Sequence, residues 1–328
     1  MQFKNVALWV TSIFLSVSLM AAPQQFFNAP KKLYTVAITQ FADTSTLNEA
    51  HAGIIAGLKE RGYSEGKNLR IISTNAKGDF QVIKTLAQDI VKSKPDLIMS
   101  ISTPATQAVI AADSNAKIPV VFSTVTDPVM ANIVPTLTHS GGFVTGVYDI
   151  PPIQQQIAMI REMMPNLKNL GVVYNPNEPN SVRVLGALKK EAKSLNIMTA
   201  EVKSVNDISA AVNSLMGKVD AIYTTSDSTV ESAIESLLKI TMENRIPVFS
   251  SDHGSVRFGA LASIADNQYE VGYLAGRMAA AVLGGKDPGQ MDVVRIPNST
   301  LFINTATAQK LNITIPKSLM DKAATIVE

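Results

Sequence analysis

Short apolar runs alternate with amphipathic stretches along most of the chain. Residues 34–39 and 97–101 are rich in β-branched and other apolar side chains, and such runs predict strands. Between them, Leu47, Ile54 and Leu58 recur at helical spacing, which predicts a helix. Strands separated by helices of about 10–15 residues indicate βαβ units and a parallel sheet.

The same alternation restarts after Pro151-Pro152, so the chain repeats its architecture although not its sequence. In this second half, residues 170–174 and 219–223 are predicted strands and residues 228–243 a predicted helix. We therefore expect an α/β fold with two doubly wound parallel-sheet lobes joined by a hinge.

Two crossovers between the lobes are expected, one over residues 146–152 and one near residues 250–254. The first ends in the proline pair, and after the second the chain still has one strand and one long helix to place. The expected lobes are N-terminal, residues 31–148 plus 252–285, and C-terminal, residues 149–251 plus 286–328.

Residues 1–22 have the pattern of a cleavable secretory signal. Lys4 gives a positive start, residues 6–20 are apolar and uncharged, and Ala21-Ala22 offer a small-residue cleavage site. The apolar run is short for a membrane span and no later stretch is long enough, so no membrane anchor is expected.

Composition narrows the cellular setting. The chain is 46% hydrophobic and 17% charged, which favours a well-packed globular protein, and its formal net charge of +2 gives no sign of nucleic-acid binding. The absence of cysteine excludes disulfides, thiolate metal sites and a lipidated cysteine after the signal. We expect a monomeric, unlipidated protein that is free in a bacterial periplasm.

No catalytic or metal-binding motif stands out. The three histidines, His51, His139 and His253, form no His-x-x-His or Glu-x-x-His pair, and the chain has no Gly-x-Ser-x-Gly elbow. The loop over residues 40–48 lacks the glycines of a dinucleotide fingerprint. We expect no catalytic residue, no metal and no cofactor, so the sequence favours a binding protein over an enzyme.

Hydroxyl side chains mark two predicted helix starts at strand ends. Ser102-Thr103 precede Pro104 directly after a strand, and Asn180-Ser181 follow a strand of the second half. A helix start leaves backbone N–H groups free and suits an anion. The same oxygens also serve as ordinary helix caps, so binding and capping both remain open.

Three aspartates also follow predicted strands. They are Asp127, which Thr126 precedes, Asp227 and Asp252. A carboxylate in such a place can pair with a ligand ammonium, and capping or turn formation is the alternative for each. We expect at least one of the three to contact ligand.

The end of the first strand supplies the last candidates, Gln40 and Phe41. Phe41 is either an aromatic lid that stacks on the ligand or a core residue. Both residues belong to the predicted ligand-binding set.

Seven stretches of the chain resemble the substrate-binding proteins of ABC importers with the type I periplasmic fold, within the tryptophan/tyrosine-type family. Together they are specific for that family, although no single stretch is. They cover nearly the whole mature chain and are GLKERGYSEGKNL (57–69), STPATQA (102–108), IPVVFSTVTDPV (118–129), GGFVTGVYDI (141–150), LGVVYNPNEPNSV (170–182), VDAIYTTSDSTV (219–230) and IPVFSSDHGSVRFGALAS (246–263).

The resemblance implies a two-lobed protein that closes on one small ligand and delivers it to a membrane permease. The first loop departs from the family pattern, since Ala-Asp-Thr-Ser-Thr-Leu at residues 42–47 replaces Glu-His-Pro-Ala-Leu. The ligand therefore need not be an aromatic amino acid. The contacts implied by position are Ser102, Thr103, Thr126, Asp127, Asn180, Ser181, Asp227 and Asp252.

The expected function is that of the periplasmic solute-binding component of an ABC importer, with the permease and its ATPase as partners. Its ligand is expected to be an amino acid or a related zwitterion. Helix starts at Ser102 and Ser181 are expected to hold the anionic end, and Asp227, with Asp252 or Asp127, the cationic end. The alternative is a ligand-sensing periplasmic protein that presents its closed form to a membrane receptor.

Overall fold

The computed structural model describes residues 32–113 and 115–328. The predicted signal over residues 1–22 lies outside the described residues. Within the described ranges, no helix combines the length and the apolar character that a membrane span needs.

The first lobe is built on a five-stranded, wholly parallel sheet with the strand order β2-β1-β3-β4-β5. Helices α1, α2 and α3 connect its first four strands. The bounds are β1 (Tyr34–Gln40), α1 (Ser45–Glu60), β2 (Leu69–Asn75), α2 (Phe80–Lys92), β3 (Leu97–Ile101), α3 (Thr103–Ala112), β4 (Val120–Val125) and β5 (Val144–Tyr148).

The second lobe carries a seven-stranded sheet with the order β12-β11-β10-β9-β8-β6-β7. Every pair in it is parallel except β10 with β11. Its elements are α4 (Ile153–Met163), β6 (Asn169–Tyr174), α5 (Pro179–Glu191), β7 (Asn196–Glu201), α6 (Ile208–Leu215), β8 (Ala221–Thr224), α7 (Ser228–Ser232), α8 (Ile234–Glu243), β9 (Val248–Ser250), α9 (Gly254–Phe258), β10 (Ala262–Ala265), β11 (Thr300–Asn304), α11 (Thr305–Leu311), α12 (Lys317–Met320) and β12 (Ala323–Val327).

Helix α10 (Gln268–Leu283) returns to the first lobe and packs closely against α1. The two backbones approach so closely that a Cβ added at Gly272 would lie 2.0 Å from the carbonyl oxygen of Ala50. At Gly57 the added Cβ would lie 2.2 Å from the carbonyl oxygen of Tyr273. The lack of a side chain at these glycines therefore allows α10 to pack directly on α1, and the two helices cover the sheet of the first lobe together.

The second crossover lies later in the chain than the sequence predicts. Strand β10 pairs with β9 and β11, so residues 252–265 stay with the second lobe, and the chain leaves at Asp266. Residues 286–294 remain with the first lobe, because Val293 is buried in its core and Val294 bridges to Val147. Sequence periodicity identifies a strand but not the sheet edge that it joins, which is why the expected boundaries at 252 and 286 differ from the structure.

Candidate ligand-binding cleft

The carboxyl ends of strands from both sheets face one narrow cleft between the lobes. Ligands in open α/β sheets bind at such an edge. The first lobe contributes Thr46, Leu47, Ser102, Thr124 and Thr126. The crossover segments contribute Asp149, Pro151, Asp266 and Gln268, and the second lobe contributes Asn180, Ser226, Asp227, Ser228, Glu231, Ser251, Asp252 and Ala265.

The face of the first lobe presents hydroxyls and a helix start. Ser102 caps α3, with its Oγ accepting from the backbone N–H of Ala105 at 3.4 Å. Pro104 in the first turn brings no N–H of its own. The buried hydroxyl of Thr103 has no hydrogen-bond partner, although Thr103 lies beside the cleft rather than in it.

Thr126 lines the cleft, but its neighbour Asp127 is used differently. The Asp127 carboxylate accepts from Arg183 Nε of the second lobe at 2.8 Å and from the backbone N–H of Met130 at 3.1 Å. Asp127 therefore forms a half-buried ion pair across the two lobes at the side of the cleft.

The face of the second lobe is acidic, and most of its buried carboxylates accept hydrogen bonds from their own lobe. Asp227 caps α7 through Val230 N (3.0 Å) and also accepts from Asn175 N (2.5 Å) and Ser181 Oγ (2.6 Å). Burial raises the pKa of Asp227 well above its ordinary value, and the nearby charge of Glu178 adds a smaller increase. Both oxygens of Asp227 are thus occupied.

Glu178 fills the same helix start from the other side. Its carboxylate accepts from the backbone N–H groups of Ser228 (3.0 Å) and Thr229 (2.9 Å). Asn180 donates its Nδ2 to the carbonyl of Ser226 at 2.6 Å and to Glu178 at 3.2 Å. Because both of these partners are acceptors, the amide orientation is fixed, and Asn180 Oδ1 is left buried without a partner.

Asp252 is occupied in a similar way at the start of α9. It accepts from Ser250 Oγ (2.5 Å), from Ser255 N (2.7 Å) and from Ser255 Oγ (2.9 Å). Asp252 therefore caps α9 and lines the cleft at the same time.

Glu231 reaches across the cleft to the opposite lobe. Its Oε1 accepts from the backbone N–H of Thr46, in the first turn of α1, at 3.0 Å. Burial and, to a smaller extent, the charge of Asp252 raise the pKa of Glu231 to about 8. Glu231 therefore holds its proton to a higher pH than an exposed glutamate does while the lobes are together.

Further polar contacts join α1 to α9. Glu49 accepts from His253 Nε2 at 2.7 Å and from Arg257 at 2.6 Å. A Cβ added at Gly254 would lie 3.2 Å from Ser45 Cβ, so glycine permits the close approach of the two lobes. The lobes are thus in direct contact on the side of the cleft away from Asp127.

The crossover segments carry a second pair of acids. Asp266 is paired with Arg295 (3.2 and 3.3 Å) and accepts from Ser299 Oγ at 2.5 Å. Asp149 accepts from Gln268 Nε2 at 2.8 Å through one oxygen, while its Oδ1 is buried without a partner. Burial and, to a smaller extent, the charge of Asp266 raise the pKa of Asp149 to about 7.

Half of the sequence-predicted residues line the cleft, namely Ser102, Thr126, Asn180, Asp227 and Asp252. Ser181 lies behind the wall, where it supports Asp227. It is not a helix cap, because Pro179 occupies the first position of α5 and Glu178 precedes it. The predicted helix start at Ser181 is therefore two residues too late.

Gln40 and Phe41 belong to the framework of the first lobe. Phe41 is 0% exposed and packs on Phe80 with ring centroids 4.7 Å apart, so its side chain is a core residue and not a lid. Gln40 donates to the carbonyl of Ala42 and to Asn48 Oδ1, which holds the first loop in place.

Several cleft residues were missed from the sequence. Asp149 and Asp266 directly follow β5 and β10, so the rule that selected Asp227 would also have selected them. Glu231 and Gln268 come from helices, and nothing in their local sequence marks them.

Comparison with known proteins assigns the family. Residues 35–327 match the family model described as ABC transporter substrate binding protein. The chain belongs to this family, its fold is the type I periplasmic binding fold, and it is a binding protein of small-molecule ligands rather than an enzyme. Proteins of this family are typically periplasmic or extracellular.

Among individual proteins, the chain is similar to a tyrosine-binding protein of Clostridioides difficile (strain R20291), with 34% identity over 86% of this chain and 82% of that protein. An ABC domain from Streptococcus pneumoniae, solved in complex with L-Trp, has 33% identity and a TM-score of 0.86, covering 90% of this chain and 99% of that one. A ligand-free, open substrate binding protein with adhesive properties from Clostridium difficile has 30% identity and a TM-score of 0.67, at 90% and 99% coverage. The overall structure is thus more similar to the L-Trp complex than to the open, ligand-free protein.

Proposed function

We propose that this protein is the periplasmic solute receptor of an ABC importer, and that it captures a small zwitterion by hinge closure for delivery to a membrane permease. Aromatic amino acids are the first candidates, because a tyrosine-binding protein and a protein solved with L-Trp are among its relatives. In this proposal the signal over residues 1–22 is cleaved and the mature receptor is an unanchored monomer.

One observation carries the proposal. Thr46 Oγ1, Asn180 Oδ1 and Asp149 Oδ1 are buried without hydrogen-bond partners, and all three residues line the same cleft. They come from the first lobe, the second lobe and the crossover. Buried polar atoms without a hydrogen-bond partner are energetically costly and uncommon. Three of them around one cleft therefore support the binding of a polar ligand that contacts both lobes and the crossover.

The charges around the cleft support a zwitterion. The start of α3 at Ser102 offers an electropositive helix end with no carboxylate bound to it, which suits an anionic group. The opposite wall is acidic and suits a cationic group. Ser102, Thr126 and Asn180 are the proposed direct contacts, while Asp227 and Asp252 are proposed to contribute mainly through their position on the acidic wall.

The lobe arrangement supports hinge closure. The higher TM-score with the L-Trp complex than with the open relative, together with the Glu231–Thr46 and Glu49–His253 contacts, fits a closed form. Ligand contacts to both lobes would favour this form over an open one.

Titration calorimetry with L-tryptophan, L-tyrosine and the other amino acids tests the proposal, with small-angle scattering as a measure of closure. We expect at least one amino acid to bind and to make the protein more compact. At a ligand concentration of 100 times its Kd, the free energy of unfolding should rise by about 2.7 kcal/mol. Failure of every amino acid and related zwitterion to bind would refute the ligand class, and binding without compaction would refute closure.

A further inference from the structure

The acids predicted to hold the cationic end of the ligand have little capacity left to do so. Asp227 and Asp252 each engage both carboxylate oxygens within the second lobe. Asp127 is paired with Arg183 across the lobes. A ligand ammonium at any of these would have to compete with hydrogen bonds that hold a helix start or an ion pair.

Asp149 differs because one of its oxygens is free and fixed in position. Gln268 Oε1 accepts from the Thr124 hydroxyl at 3.0 Å, so the amide presents its Nε2 to Asp149 Oδ2. This leaves Oδ1 as the oxygen without a partner, in a residue that lines the cleft.

The charge around Asp149 is also unbalanced. Its neighbour Asp266 is neutralised by Arg295, and these are the charged groups that act on Asp149. The residues lining the cleft include no lysine, arginine or histidine. A positive group supplied by the ligand would therefore remove an uncompensated buried charge.

A second acceptor in the cleft is an uncharged amide oxygen. Asn180 is 7% exposed, lines the cleft, and has its Oδ1 unpartnered with the amide orientation fixed by two acceptors. A free carboxylate oxygen and a free amide oxygen both require donors. An ammonium group supplies three donors and a positive charge, whereas a ligand carboxylate supplies neither.

We infer that Asp149, at the first crossover, is the residue that receives the ligand's cationic nitrogen, and that Asn180 is a second acceptor in the same cleft. The inference rests on the proposed function, and it moves the charge recognition from the second lobe to the hinge. Asp227 and Asp252 then hold the helix starts of the acidic wall in place. Because Asp149 lies where the two lobes join, the ligand's charge contacts the segment about which the lobes would turn.

The test compares Asp149→Asn with wild type by calorimetry, using L-tryptophan and 3-indolepropionate, which lacks the ammonium. We expect wild type to prefer L-tryptophan, and the substitution to weaken L-tryptophan binding about 30-fold or more, since it removes one partner of a buried charge pair. Binding of 3-indolepropionate should be unchanged or stronger. Asp89→Asn, the same change on the exposed face of α2, is the matched control and should alter neither ligand.

Proton release gives a second readout. A cationic group beside Asp149 lowers its pKa from about 7, so at pH 6 wild type should release about one proton more on binding than Asp149→Asn does, and above pH 8.5 the two should hardly differ. Calorimetry in buffers of different ionisation enthalpy measures this difference, to which proton uptake by Glu231 on closure contributes equally in both proteins. The thermal midpoint of the variant shows that it is folded.

The outcomes separate this inference from the proposed function. If Asp149→Asn keeps the preference for L-tryptophan and the same proton release, the assignment of Asp149 is wrong and the receptor function stands. If wild type binds only ligands without a cationic nitrogen, the assignment is likewise wrong. If no amino acid or other amine binds wild type, the zwitterion function fails, and the role of Asp149 fails with it.

Discussion

The two faces of the cleft have the same topological origin and opposite chemistry. Both are made from strand ends followed by helix starts, yet the first lobe presents the hydroxyls of Ser102, Thr124 and Thr126, while the second presents Asp227, Glu231 and Asp252. The difference follows from what occupies each helix start. A helix start attracts negative charge, and the second lobe supplies that charge itself.

In the second lobe, Asp227 and Glu178 bind the backbone N–H groups at the start of α7, and Asp252 binds those of α9. In the first lobe, α3 is capped only by the neutral Ser102. An anionic group of a ligand would therefore meet carboxylates on one face and free backbone dipoles on the other. The orientation of a bound zwitterion is set by which helix starts are already filled.

Reversing the charge of the neutral face should have the largest effect. Ser102→Asp keeps a good helix cap but places a carboxylate where we expect the ligand's anionic group. Like charges brought together in a buried site cost several kcal/mol, so L-tryptophan binding should weaken more than about 100-fold. Tryptamine, which lacks the carboxylate, should bind the variant better than L-tryptophan does.

Ser226→Asp provides the matched control, because it adds the same charge to the face that is already acidic. We expect it to weaken L-tryptophan less than tenfold. Equal losses in the two variants, measured by calorimetry, would show that the faces do not differ in the way the helix starts suggest.

The sequence predicted the fold well because hydrophobic periodicity reports burial. It also identified Ser102, Thr126, Asn180, Asp227 and Asp252 as cleft residues, because the carboxyl ends of parallel strands meet at one edge. Periodicity does not say which sheet a strand joins. The boundary at residue 252 was therefore misplaced, since β10 pairs with β9 and β11 in the second sheet.

The role of each residue within the cleft was harder to predict from the sequence than its location at a strand end. Asp127 and Asp149 both follow a strand, and only the fold shows that Arg183 occupies the first while an oxygen of the second is free. Phe41 was a candidate lid, yet it faces Phe80 in the core. Whether a polar atom is available depends on partners that are distant in the chain, and no local pattern records them.

The contact between Glu231 and α1 should make closure depend on pH. Hinge opening would separate Glu231 from Thr46 and return its pKa from about 8 toward the ordinary value of 4.5. Closure then takes up a proton. The stabilisation that protonated Glu231 gives to the closed form is fully present below pH 4.5 and is lost as the pH rises toward 8.

Glu231→Gln mimics the protonated acid and can still accept from Thr46 N. The Kd of wild type divided by that of the variant should therefore rise by about tenfold or more between pH 5 and pH 8. Calorimetry with one ligand over this range measures the ratio. A ratio that stays constant with pH would show that Glu231 has the same protonation in the open and closed forms.

The smallest expected effect concerns the ion pair between Asp127 and Arg183, which joins the neutral face to the acidic one. The pair is only half-buried, so its coupling energy should be about 0.5–1 kcal/mol, or roughly a two- to fivefold change in affinity. Asp127→Asn, Arg183→Gln and the double variant form a cycle that isolates this energy from the cap that Asp127 gives to Met130. If the pair acts on closure, the coupling should appear in the Kd for L-tryptophan and weaken at high salt, because the pair forms only when the lobes meet. A coupling found in thermal stability but absent from ligand affinity would mean that the two faces stay joined here in the open form as well.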